Sequence, residues 1–234
     1  MIERMLFLDL ETDLKGTQIS KAGMCIETLH GGTAWSWREA QPKQIFHDRL
    51  DEALFQAAAI AGHNIWRHDL PVLAKQFPKL ALLEKLPVVD TLELSPLCFA
   101  RNPYHALEKD YKPTGREEND PLGDAVLARQ LLRRESETLA ELREREPILH
   151  RALHGLCAGG SGRLERGYAL VFGGPVPTME NGLEAVRACA VQNGCQTATA
   201  RLEIPASREE RMGLAYVLAW LAVAGDCRSV LPGW

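Results

Sequence analysis

Asp9 and Glu11 stand two apart in the run Met5-Leu6-Phe7-Leu8-Asp9-Leu10-Glu11-Thr12. Met5 to Leu10 reads as a short buried strand, and on a pleated strand residues two apart leave the same face. Two acids directed one way from the C-terminal end of a buried strand repel each other, and a cation is the ordinary remedy. Magnesium or manganese prefers oxygen ligands, and a pair of such ions about 3.5–4 Å apart can activate a water and stabilise the leaving oxygen of a phosphodiester. That chemistry needs more than two carboxylates. Asp69, opening a predicted helix just after a strand that ends in His63-Asn64, and Asp124, in the first turns of a long predicted helix, are the candidates. Singly, each also fits a helix-dipole or capping role worth about 0.3–1 kcal/mol. Together with the paired acids of the strand, they favour a shared site.

The elements that must position these acids follow from the hydrophobic pattern. Segments around Met24–Leu29 and Thr33–Trp37, separated by Gly31-Gly32, suggest a hairpin. Leu50–Ile60 has apolar residues at helical spacing, Ala61-Gly62-His63-Asn64 ends a further strand, and Trp66–Phe77 returns to helix with Pro71 tolerated near its first turn. Leu86–Val89 is a strand ending at Asp90; helix is expected from Tyr104, with a break at Lys112–Gly115. Pro121 to about Arg145 is the longest amphipathic run. Strands and helices in this order predict an α/β domain, a mixed sheet flanked by helices, over residues 1–145. Helical runs near Met179–Gln192 and Arg208–Ala224 predict a small, mainly helical accessory domain over 146–234.

The chain has 234 residues, 46% hydrophobic and 25% charged, with a formal net charge of −4. A broadly basic surface that holds nucleic acid by counterion release is excluded, so contacts with phosphate must be local or carried by bound cations. The first apolar run reaches Asp9 too soon for a signal peptide, and no stretch approaches the ~20 apolar residues of a membrane span. A cytoplasmic protein with no membrane partner is expected. The six cysteines form no CxxC pair, and Cys189 and Cys195 with His150 or His154 match no common metal-site spacing. Gly159-Gly160-Ser161-Gly162 lacks the Lys-Ser/Thr of a phosphate-cradling loop and reads as a connector.

Phe7-Leu8-Asp9-Leu10-Glu11-Thr12, Gly62-His63-Asn64 through Asp69, and Asn119-Asp120-Pro121-Leu122-Gly123-Asp124-Ala125 resemble, in order, the three motifs of the DnaQ-like or DEDD 3′–5′ exonucleases. The resemblance covers roughly residues 4–135 and implies a ribonuclease H-like sheet. More narrowly, Gly62 through Pro71, Asp90 through Pro96 and Asn102-Pro103-Tyr104-His105 look like the exonuclease module N-terminal to some RecQ-like helicases. The activity implied is hydrolysis at 3′ ends of single-stranded DNA or RNA with two Mg²⁺ or Mn²⁺ ions, in a setting such as DNA repair, beside a helicase domain or partner. On this resemblance Asp9, Glu11 and Asp124 hold the ion that makes the attacking hydroxide. Asp9 with Asp69 holds the second, at the leaving oxygen. Leu10, Thr12, His63, Asn64 and Trp66 are expected near the terminal nucleotide, with His63 also suited to a core role and Trp66 to stacking or packing.

The sequence departs from the family where a base is expected. The third motif usually carries a His five residues before its Asp or a Tyr four before it, and those places hold Asn119 and Asp120. An amide does not titrate, and a carboxylate beside metal serves better as a ligand or acceptor. His105 is the candidate substitute, because imidazole titrates near neutrality; metal coordination alone, without a side-chain base, is the other option. Alternatives to an active exonuclease are a degenerate nuclease kept as a nucleic-acid-binding or protein-interaction module, and a hydrolase of another phosphate ester.

Overall fold

A computed structural model of the chain describes residues 4–28, 31–105, 107, 120–193 and 202–224. It divides into two compact units, one of Met1–Leu92 with Ala106–Arg133 and one of Glu93–His105 with Arg134–Trp234. The sequence reading drew a single cut at residue 145; here the division falls inside the longest helix, and the short stretch after Leu92 joins the second unit.

The first unit is built on a five-stranded mixed sheet. Its strands are β1 (Met5–Thr12), β2 (Ile19–Thr28), β3 (Gly31–Arg38), β4 (Ala59–Gly62) and β5 (Val88–Asp90), in the spatial order β3-β2-β1-β4-β5. β1 runs antiparallel to β2, and β2 to β3; β4 is parallel to both β1 and β5. β1 is central and nearly all apolar up to Leu8, as a strand covered on both faces must be. Gly31 and Gly32, expected as the hairpin turn, lie inside β3 opposite Thr28 and Glu27.

Helices α1 (Lys43–Gln56), α2 (Asp69–Gln76), α3 (Ala81–Lys85) and α4 (Thr91–Cys98) follow in chain order, and α5 is Pro121–Arg145. The helix expected over Leu50–Ile60 starts earlier and stops at Gln56, because Ala59–Gly62, fully buried, is drawn into the sheet. Register separates the two faces of the sheet. Leu8 pairs with Met24 and Met24 with Trp35; Leu10 pairs with Ala22 and Ala22 with Trp37. Directly opposed residues share a face. Phe46 of α1 stacks on Trp35 and Trp37, with ring centroids 6.0 and 5.4 Å away, so α1 covers that face. Asp9 and Glu11 belong to the other face.

The second unit holds α6 (Pro147–Ala158), α7 (Arg163–Phe172), α8 (Met179–Asn193) and α9 (Arg208–Ala224). Tyr168, Val171 and Phe172, near the end of α7, are buried. Glu93 organises this unit: it is paired with Arg208, accepts the Tyr168 hydroxyl at 2.7 Å, and its carbonyl accepts the Tyr216 hydroxyl at 3.1 Å. Arg211 meets Glu165 at 3.1 Å, both largely buried. Burying charges is tolerable when they are paired and hydrogen-bonded in this way. No helix among the described residues is long and apolar enough to cross a membrane.

Candidate metal centre

Carboxylate oxygens of Asp9, Glu11 and Asp124 lie within 4.8 Å of one another. Three causes bring them there. Alternation along β1 sends Asp9 and Glu11 to the same face. β4 pairs with β1 only as far as Phe7 opposite Ala61, so both acids stand beyond its end, where the sheet edge is open. Asp124 lies in the first turn of α5, whose start passes directly over β2.

Asp69 is the fourth acid. It opens α2, is 1% exposed, and its Oδ1 accepts the Leu10 N–H at 2.9 Å. Burial and the charges of Asp69, Asp124 and Glu11, in that order, push Asp9 up to about 8, against a smaller opposing effect of His68. Asp69 is therefore the strongest charged neighbour of Asp9, although its oxygens fall outside the tight group of three. Its own carboxyl is raised by burial, and the hydrogen bond and charge of His68 work against that rise. Four acids are thus gathered where at least one resists ionising, and a bound cation reverses that cost. The donor set is all carboxylate oxygen, which suits hard divalent ions. These residues fit a hard divalent cation.

The loop between β4 and α2 is held by Asp90. Its Oδ1 accepts the N–H of Asn64 at 2.9 Å and of Leu92 at 3.0 Å, and its Oδ2 that of Trp66 at 3.1 Å. Asn64 takes φ +61, a left-handed conformation that asparagine tolerates better than most residues. A side chain at Gly62 would meet the Leu8 carbonyl at 2.6 Å, so the chain leaves β4 tight against β1 and delivers Asp69 one turn later.

No family model, curated protein or solved structure matches the chain. The site therefore rests on its own geometry.

The other expected residues are placed as follows. The Leu10 side chain is 3% exposed on the face under α1, opposite to the acids, so a nucleotide contact is not open to it; its amide serves the site by holding Asp69. Thr12 is half-buried just past a shift in the β1–β2 register between Glu11 and Thr12. His63 is half-buried, with Nδ1 2.9 Å from the Thr91 hydroxyl. Asn64 and Trp66 are half-buried and anchored through their amides to Asp90. His105 belongs to the second unit, in coil, with Nδ1 3.3 Å from the Ser95 hydroxyl, and burial lowers its affinity for protons; the helix expected from Tyr104 and its break at Lys112–Gly115 fall on residues that lie mostly outside the described ones. Asn119 and Cys195 lie outside the described residues, and Asp120 is exposed, its carbonyl accepting the Asp124 amide at 3.0 Å.

Two residues gain a place that the sequence reading did not give them. His68 sits with Nδ1 3.4 Å from Asp69 Oδ1, and this contact, with the charges of the neighbouring carboxylates, raises its affinity for protons. The adjacency of His68 to Asp69 was the only available signal. Gly23 pairs with Asp9 across the β1–β2 ladder and lies under the start of α5. A lone glycine inside a strand hints at close backbone approach, but the partner is not legible from sequence.

Proposed function

We propose that this chain is a metal-dependent phosphodiester hydrolase acting as a 3′–5′ exonuclease on single-stranded DNA or RNA, in the cytoplasm. The observation that carries the reading is the meeting of Asp9, Glu11 and Asp124 oxygens within 4.8 Å, with buried Asp69 as the leading charged neighbour of Asp9. We take the sheet to be ribonuclease H-like. Its strand order and its change from antiparallel to parallel neighbours at β1 support this.

In this reading Asp9, Glu11 and Asp124 hold one Mg²⁺ or Mn²⁺, and Asp9 with Asp69, directly or through water, holds a second. Bound there, such ions lower the pKa of a water and offset charge on the departing 3′ oxygen. The residues contribute placement. The Leu10 amide fixes Asp69, Asp90 fixes the loop before it, and α5 carries Asp124 to β1. Donors held by backbone contacts need little rearrangement when the ions arrive. His105 remains the proposed side-chain base.

The test is a single-stranded oligonucleotide labelled at either end and incubated with Mg²⁺ or Mn²⁺. Stepwise shortening from the 3′ side, lost in Asp9→Asn, is the expected result. Binding without shortening would point to the degenerate module, and turnover of small phosphate esters alone to another phosphohydrolase.

A further inference from the structure

Resting on the metal-centre reading, we infer that Gly23 is a positioning residue: the absence of a side chain there lets the first turn of α5 lie directly on the sheet and brings Asp124 to Asp9 and Glu11. In the antiparallel register Gly23 is the direct partner of Asp9, so any side chain at position 23 would leave the face that carries the acids. That space is filled by backbone. A Cβ at Gly23 would lie 2.1 Å from the Leu122 nitrogen, 2.3 Å from the Pro121 carbonyl carbon and 2.4 Å from the Leu122 Cα.

Such contacts cannot be relieved by a change of rotamer, because none of the three atoms belongs to a side chain. Ordinary contact needs about 3.5–4 Å, so even alanine obliges strand and helix to part by roughly 1–1.5 Å. Asp124, two residues beyond Leu122 on a rigid helical turn, moves with them. A metal site tolerates only about 0.5 Å of misplacement, so the third carboxylate falls out of reach while the strand acids stay where they are. Gly32 provides the internal comparison. It also lies within the hairpin, yet a Cβ there meets only the Ile26 carbonyl, at 3.5 Å.

The geometry specifies a suppressor. Asp124→Glu adds one methylene, about 1.5 Å of reach, which is harmful when the helix is seated but compensating when it is lifted. Mn²⁺ binding to the full chain, followed by electron paramagnetic resonance, should weaken at least tenfold in Gly23→Ala and weaken in Asp124→Glu. It should recover in the double variant relative to Gly23→Ala and stay unchanged in Gly32→Ala. A double variant showing only the product of the two single losses would overturn the inference, as would Gly23→Ala binding like wild type. A measurement free of metal and of variants accompanies it: a nuclear Overhauser contact between the Gly23 Hα protons and the Leu122 amide proton. Its absence overturns the placement even where Gly23→Ala fails to fold. Its presence in a wild-type chain that binds no Mn²⁺ would uphold the seating of α5 and refute the metal centre instead.

Discussion

Asp69 Oδ1 accepts the backbone N–H of Leu10 at 2.9 Å, joining the first residue of α2 to the strand that carries Asp9 and Glu11. One carboxylate oxygen thus serves the fold while its charge serves the site. Asp69→Asn keeps an acceptor for Leu10 and removes the charge; Asp69→Ala removes both. The alanine variant should lose about 1–3 kcal/mol in urea unfolding, the cost of a buried N–H left unpaired, and the asparagine variant much less. Both should lose most hydrolytic activity, by a factor of ~100 or more if the second ion goes. Equal stability of the two variants would show that the Leu10 bond does not matter.

Asp90 is an acid of a different kind. It accepts three amides, from Asn64, Trp66 and Leu92, and holds the loop that delivers Asp69. Asp90→Asn turns one acceptor into a donor facing an N–H, so stability should fall by on the order of 1.5–3 kcal/mol, the range for hydrogen bonds to charged groups. Mn²⁺ affinity should fall less than in Asp9→Asn at a temperature where the variant stays folded. Loss of affinity as complete as in Asp9→Asn would make Asp90 a ligand.

Asp9 predicts a pH dependence of stability without metal. Its carboxyl moves from 3.8 to about 8 on folding, so between these values the folded chain keeps a proton that the unfolded chain releases. Stability then falls as pH rises through this window. Asp69, also raised, acts in the same direction, and so does His68, whose contribution is present at low pH and lost as pH passes its raised value. In chelator, the urea midpoint should drop from pH 5 to pH 8; millimolar Mg²⁺ should restore it. Asp9→Asn should be more stable than wild type at pH 8 in chelator, by on the order of a few kcal/mol, while being inactive. A flat profile in chelator would contradict the crowding of the acids.

The paired acids of β1 and the limits of α5 were legible because each depends on local periodicity: alternation for Asp9 and Glu11, an uninterrupted amphipathic run for Pro121–Arg145. The α/β order was readable for the same reason. What stayed hidden depends on contacts between distant segments. Gly31 and Gly32 look like a turn and are strand, since register with β2 outweighs their local preference. Ala59 and Ile60 continue a helical spacing, yet together with Ala61 and Gly62, read as strand, they are drawn into the sheet between β1 and β5. Leu10 sits between two site acids and yet turns into the core. The boundary between the units, placed inside α5, leaves no break in the hydrophobic pattern.

His105 makes a kinetic prediction. If it supplies the base, the acid limb of the pH–rate profile should lie below the usual imidazole value, because burial disfavours its charged form. His105→Ala should lower kcat by about 10²–10⁴ and remove that limb. An unchanged profile would leave water activation to the bound ions alone.

The most direct test of the central claim is a Mn²⁺ titration of the wild-type chain and of Asp9→Asn, counting bound ions from the free-ion resonance signal. Two saturable ions per chain in wild type, with both lost or greatly weakened in the variant, is the result expected if Asp9 is shared between them. Identical binding curves for the two proteins would contradict it.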